Sequence, residues 1–115
     1  MPNVRSTMKT MAMALFLALG AAALAHAADG KAIFLAQKCN MCHSVPTADI
    51  ASKIKSSKMK GPDLVNVAKR HDAEWIAKFL HRQVKQHDAL HKKEFKGSDE
   101  DLKALIDWIL AQKKD

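Results

Sequence analysis

Apolar residues recur at helical spacing along much of this chain and crowd together unbroken in one place. The clearest periodicity is the last. Leu102, Leu105, Ile106, Ile109 and Leu110 share one face of a helix that begins at Ser98, with Trp108 at its edge. Asp101, three residues after Ser98, approximates a capping box. Asp99, Glu100 and Asp101 suit the positive end of that helix, and Lys113 and Lys114 the negative end. Upstream, Asp72 is placed to cap a second helix whose stripe is Ile76, Leu80 and Val84, with Trp75 and Phe79 beside it. Neither Gly nor Pro follows until Gly97, so the pattern lets this helix run on and puts His87 and His91 on the same face. Near the start, Asp29 is a candidate cap for a helix over 30–38 containing Ile33, Phe34 and Leu35.

The middle is less regular. Residues 44–60 form a polar stretch containing Pro46, with a short exposed helix expected over 49–58. Gly61-Pro62 marks a turn, and Pro62 suits the first position of a helix over 63–70 carrying Leu64, Val65, Val67 and Ala68. No alternating strand pattern and no internal repeat is visible, so the fold class expected is all-α, with three to five helices.

The unbroken run is residues 11–25, preceded by Arg5 and Lys9 and followed by Ala25-His26-Ala27. A positive start, an apolar middle and a small-x-small end are the marks of a secretory signal peptide. The run is about 15 residues, short of the ~20 that a spanning helix needs. The expected division is a signal peptide over 1–27 and one domain over 28–115, exported to the periplasm or a similar oxidising compartment. No membrane contact is expected unless the leader is retained.

Removing 27 of 115 residues leaves 88. A domain of that size buries only about 60% of its unfolded surface, and its own core is marginal. The formal charge is +7, and +5 without Arg5 and Lys9. Lysines gather at Lys53, Lys55, Lys58 and Lys60, and again at Lys92, Lys93 and Lys96. Such a face is either a solubilising surface or one that steers the protein to acidic partners. Few aromatics lie among the basic residues, which argues against nucleic acid as a partner.

The candidate chemistry is concentrated at Cys39-Asn40-Met41-Cys42-His43. Cys-x-x-Cys alone could be a redox dithiol, half of a zinc site or a disulfide. The chain has only two cysteines, lacks a βαβ context and offers no matching pair of further zinc ligands. With His43 directly after the second cysteine, the motif reads as a c-type haem attachment site. Each thiol would add to one porphyrin vinyl group. The next residue would then lie beneath the iron, where an imidazole can bind as proximal ligand.

On this motif the chain resembles the small monohaem class I c-type cytochromes of bacteria. That resemblance implies a cytochrome c-like bundle around one covalent haem c held by Cys39 and Cys42, with His43 on the iron. It implies that Gly30 and Phe34 lie where the first helix crosses the last, and that Pro62 packs near His43. Trp75-Ile76 and the Leu-x-x-Leu-x-x-Trp spacing of the last helix are also similar to the family. One departure is informative. The family carries a distal methionine, usually in a Pro-containing loop before the last helix. Residues 86–97 hold neither Met nor Pro, and no Met follows Met59. His91 falls nearest that position and is the first candidate for the sixth ligand, ahead of His87 and Met59. His71 reads as a surface residue, and His81 as solvent-facing because it lies off the stripe.

The resemblance implies single-electron transfer, with bis-histidine ligation and no catalytic residue; the protein is not expected to be an enzyme. The partners expected are redox proteins with acidic docking faces, and the chain itself is expected to be a monomer. Two other readings stay open: a gas-binding or sensor cytochrome with a free or labile sixth position, and a haem subunit of a larger oxidoreductase.

Overall fold

The computed structural model describes residues 29–115. The leader expected over 1–27 lies outside the described residues. No helix of the described residues is long and apolar enough to cross a membrane.

Among the described residues three α-helices carry the fold: α1 (Gly30–Ala36), α2 (Ala73–Leu80) and α3 (Asp99–Leu110). Each begins where a short polar side chain supplies an acceptor for an otherwise unpaired N–H. Asp29 accepts from the N–H groups of Lys31 and Ala32. Asp72 accepts from Trp75 N–H at 2.8 Å, and Ser98 Oγ from Asp101 N–H at 3.1 Å.

The core is built on α3. Its buried residues Leu102, Leu105, Ile106 and Ile109 recur at the spacing of one helix face. Phe34, Val45, Val67, Ile76 and Phe95 close over them. α1 crosses α3 very closely. A Cβ on Gly30 would stand 2.3 Å from Trp108 Cβ and 2.5 Å from the Ala104 carbonyl, so only glycine permits this approach. One turn later Phe34, fully buried, meets Trp108 with ring centroids 5.2 Å apart.

Three expectations are corrected. Residues 49–58 form no helix. The helix expected over 63–70 is reduced to a single 3₁₀ turn at Val67–Lys69. Its cause is Asn66, which is left-handed with φ 60° and is tied to the C-terminal tail. Asn66 N–H donates to Gln112 O at 2.9 Å, its Nδ2 donates to Lys114 O at 2.8 Å, and its Oδ1 accepts from Lys114 N–H at 3.0 Å. These long-range bonds replace the local ones that a helix would have made.

Third, α2 does not run on to His91. It stops at Leu80 in a Schellman arrangement, with Arg82 N–H bonded to Phe79 O and Gln83 N–H to Lys78 O. Arg82 takes the left-handed residue, φ 57°, that glycine more often fills. Two short strands follow, β1 (Lys85–Gln86) and β2 (Ala89–Leu90), antiparallel with Lys85 opposite Leu90 and Gln86 opposite Ala89. The two turn residues, His87 (φ 51°) and Asp88 (φ 61°), both have the positive φ of a type I′ turn. The periodicity did not predict this small hairpin; among the described residues the fold remains all-α in class.

Candidate functional site

The Cys-x-x-Cys-His segment is a tight, caged loop. Lys38, left-handed at φ 60°, turns the chain out of α1 into a 3₁₀ turn over Cys39–Met41. His43 N–H then returns to Cys39 O at 3.0 Å. The outward carbonyls are taken up by the following loop: Asn40 O by Lys53 N–H at 3.0 Å, Met41 O by Ile54 N–H at 2.9 Å, and Cys42 O by Gly61 N–H at 2.8 Å. Ser52, 3% exposed, lies at the centre of this cage. Its hydroxyl faces Met41 O at 3.2 Å and Ile54 O at 3.0 Å, and its N–H donates to Ser44 Oγ at 2.9 Å. The polar stretch after the motif, in which a short helix was expected, therefore fixes the motif instead.

Cys39 and Cys42 are not joined in a disulfide. Burial raises the pKa of the Cys39 thiol, with Lys93 the largest opposing influence. Neither cysteine lines the adjoining cavity; His43, directly after them, does.

That cavity, about 400 Å³, is walled by apolar side chains including Leu64, Val67, Ile76, Phe79 and Ile109. His43 and His91 both line it, with ring centroids 6.1 Å apart and planes within 6° of parallel. His43 Nδ1 lies 2.7 Å from Pro62 O. A carbonyl only accepts, so Nδ1 carries the proton and the neutral ring keeps its Nε2 lone pair. Burial pushes His43 below its ordinary pKa, a shift the Pro62 carbonyl only partly opposes. His91 Nδ1 lies 2.5 Å from Lys93 O, which leaves Nε2 free in the same way. The expected proximity of Pro62 to His43 is found, and the contact is made by its carbonyl.

His87 also lines the cavity, from the turn of the hairpin. Met59 does not line it and is 54% exposed. His71 corrects the surface reading. It stacks on Trp75 at 3.5 Å and 10°, lies 3.3 Å from Gln86 Nε2 through its own Nε2, and borders the cavity with Arg70. The spacing of His71, Trp75 and Phe79, four residues apart along the entry and face of α2, could have signalled this wall. His81 is likewise not simply solvent-facing, since it meets Phe95 edge-on at 6.4 Å.

The donor set fits an iron porphyrin. Two metal–imidazole bonds of about 2 Å each, with roughly 1 Å from each nitrogen to its ring centroid, separate the centroids by about 6 Å. Apolar walls suit the porphyrin plate, and two cysteines outside any disulfide precede one of the histidines.

A small helical domain whose Cys-x-x-Cys-His loop ends in a histidine that lines an apolar cleft belongs to the class of proteins built around a covalently attached tetrapyrrole. The family model for cytochrome c matches residues 27–113, and the chain belongs to that family. Its prosthetic group is one covalently attached haem c, and its members are in general electron carriers. Searches of curated proteins and of solved structures return no match.

Proposed function

We propose that this protein is a periplasmic single-electron carrier in which Cys39 and Cys42 bind haem c through thioethers and His43 and His91 hold the iron from opposite sides. The observation that carries this reading is the parallel imidazole pair at 6.1 Å, each ring with its Nδ1 held by a backbone carbonyl. Such outer partners fix the tautomer and orientation of a metal-bound histidine. That a second imidazole, His91, lines the same cavity as His43 favours this reading over an open sixth position. When bound, the haem supplies the one-electron couple.

The chain's own residues set the conditions. Leu64, Val67, Ile76 and Phe79 give the cavity apolar walls, and the two imidazoles favour the oxidised state more than a histidine–methionine pair would. No group needs to act on a substrate, so no catalytic residue is assigned. Lys53, Lys55, Lys58, Lys60, Lys92, Lys93 and Lys96 are all exposed, which supports docking to acidic redox proteins. Lys55 and Lys93 also bond to backbone carbonyls, of Ser52 and Gln37. The leader over 1–27 would be removed on export, leaving a monomer.

Haem that stays with the chain under denaturing electrophoresis, together with a reversible titration fitting one electron, is expected of the purified protein. Haem lost on denaturation would contradict the thioether assignment, and an irreversible titration would contradict the carrier role.

A further inference from the structure

An imidazole bound through Nε2 keeps one freedom, rotation about its bond to the metal, and neighbouring groups must set that angle. For His43 two contacts do so. Pro62 O takes the Nδ1 proton at 2.7 Å. Gly61 lies flat against the ring: a Cβ there would stand 2.4 Å from Cε1 and 2.7 Å from Nδ1. For His91 the arrangement is similar in kind. Lys93 O takes the Nδ1 proton, and the Phe79 ring meets the imidazole at 5.1 Å and 71°. Phe79 is itself restrained. Trp75 stacks on it at 4.8 Å and 19°, His71 stacks on Trp75, and Gln86 bonds to His71. The ladder is anchored on α2, whereas His91 follows a hairpin with two left-handed turn residues.

We propose that Phe79 is a positioning residue for the distal imidazole, and that it acts with Gly61 beneath His43 to keep the two axial rings parallel. This rests on the bis-histidine reading above. The consequence is electronic. Parallel imidazole planes both interact with the same one of the two iron orbitals that can share π density with them, and so separate the two in energy. Crossed planes leave them nearly equal. Ferric low-spin iron reports the difference directly, as a rhombic paramagnetic-resonance spectrum with three resolved features or as one dominated by a single feature at very high g.

The experiment is electron paramagnetic resonance of the ferric holoprotein, with carbon monoxide added to the ferrous form as an independent report of ligation. Wild type is expected to be rhombic. Phe79→Leu keeps apolar bulk without the ring and should move the spectrum toward the single high-g form; Phe79→Tyr keeps the ring and should restore the wild-type pattern. Trp75→Leu, one step back along the ladder, should give a smaller shift in the same direction and serves if Phe79→Leu yields no holoprotein. A wild-type spectrum of the high-g form overturns the proposal, and so does a rhombic spectrum unchanged in the leucine variants. A high-spin wild type that takes up carbon monoxide at once overturns the bis-histidine reading, and the positioning role falls with it.

Discussion

The imidazoles of His43 and His91 face each other across an apolar cleft, 6.1 Å between centroids and within 6° of parallel. His43 comes from the caged Cys-x-x-Cys-His loop, and His91 from just beyond a two-stranded hairpin. Each ring gives its Nδ1 proton to a carbonyl, of Pro62 and Lys93 respectively. The proposed ligation and its electronic consequences follow from this pairing.

Replacing His91 by methionine exchanges a strong donor for a weaker one that favours reduced iron. The midpoint potential should rise by on the order of 0.1 V, within the range of about 0.8 V that axial ligation commands. Redox titration of wild type and His91→Met measures it; a variant potential equal to or below wild type would count against His91 as ligand.

Much of this was legible in the sequence, but not always by the right route. The caps at Asp29, Asp72 and Ser98 and the stripe of α3 are local signals, and the structure realises them as read. The Gly30–Phe34 crossing was legible through the resemblance. His87 and His91 line the cavity, yet from a hairpin rather than from a continued helix. The break was hidden because its left-handed positions are filled by Arg82, His87 and Asp88 and not by the glycines that usually announce such turns. The lost helix over 63–70 was illegible for a different reason: Asn66 is claimed by residues 112 and 114, a pairing no local window contains.

Gly30→Ala tests the α1–α3 crossing with two opposed effects. Alanine favours a helix over glycine by about 1 kcal/mol. Against that, its Cβ would meet Trp108 Cβ at 2.3 Å and the Ala104 carbonyl at 2.5 Å, atoms that cannot swing aside. Overpacking of this kind costs about 1–3 kcal/mol. The clash should win, and thermal melting of the holoprotein should show a lower Tm. An unchanged or higher Tm would mean that the helices separate without penalty.

Ser52→Ala removes the hydroxyl at the centre of the loop that cages the haem motif. Met41 O keeps its bond from Ile54 N–H, but the buried space loses a donor shared by two carbonyls. A loss of about 1–3 kcal/mol is expected, or a Tm lower by several degrees in a domain of this size. Calorimetry of wild type and variant holoprotein measures it, and equal melting temperatures would rule out that role.

The apoprotein should be poorly folded. Without the porphyrin plate, the cleft between His43, Trp75, Phe79 and His91 exposes apolar walls to water, and a domain this small has little stability to spare. The Cys39→Ser, Cys42→Ser double variant, isolated without haem, should unfold gradually on heating. A sharp cooperative transition would show that the chain's own core suffices.

The most direct test of the central claim is the absorption spectrum of the ferrous holoprotein before and after carbon monoxide, in wild type and in His91→Ala. If His43 and His91 hold the iron between them, wild type is low-spin and its spectrum does not change with carbon monoxide, while His91→Ala shifts at once. A wild-type spectrum that shifts immediately, or a His91→Ala spectrum still low-spin and unresponsive, would contradict it.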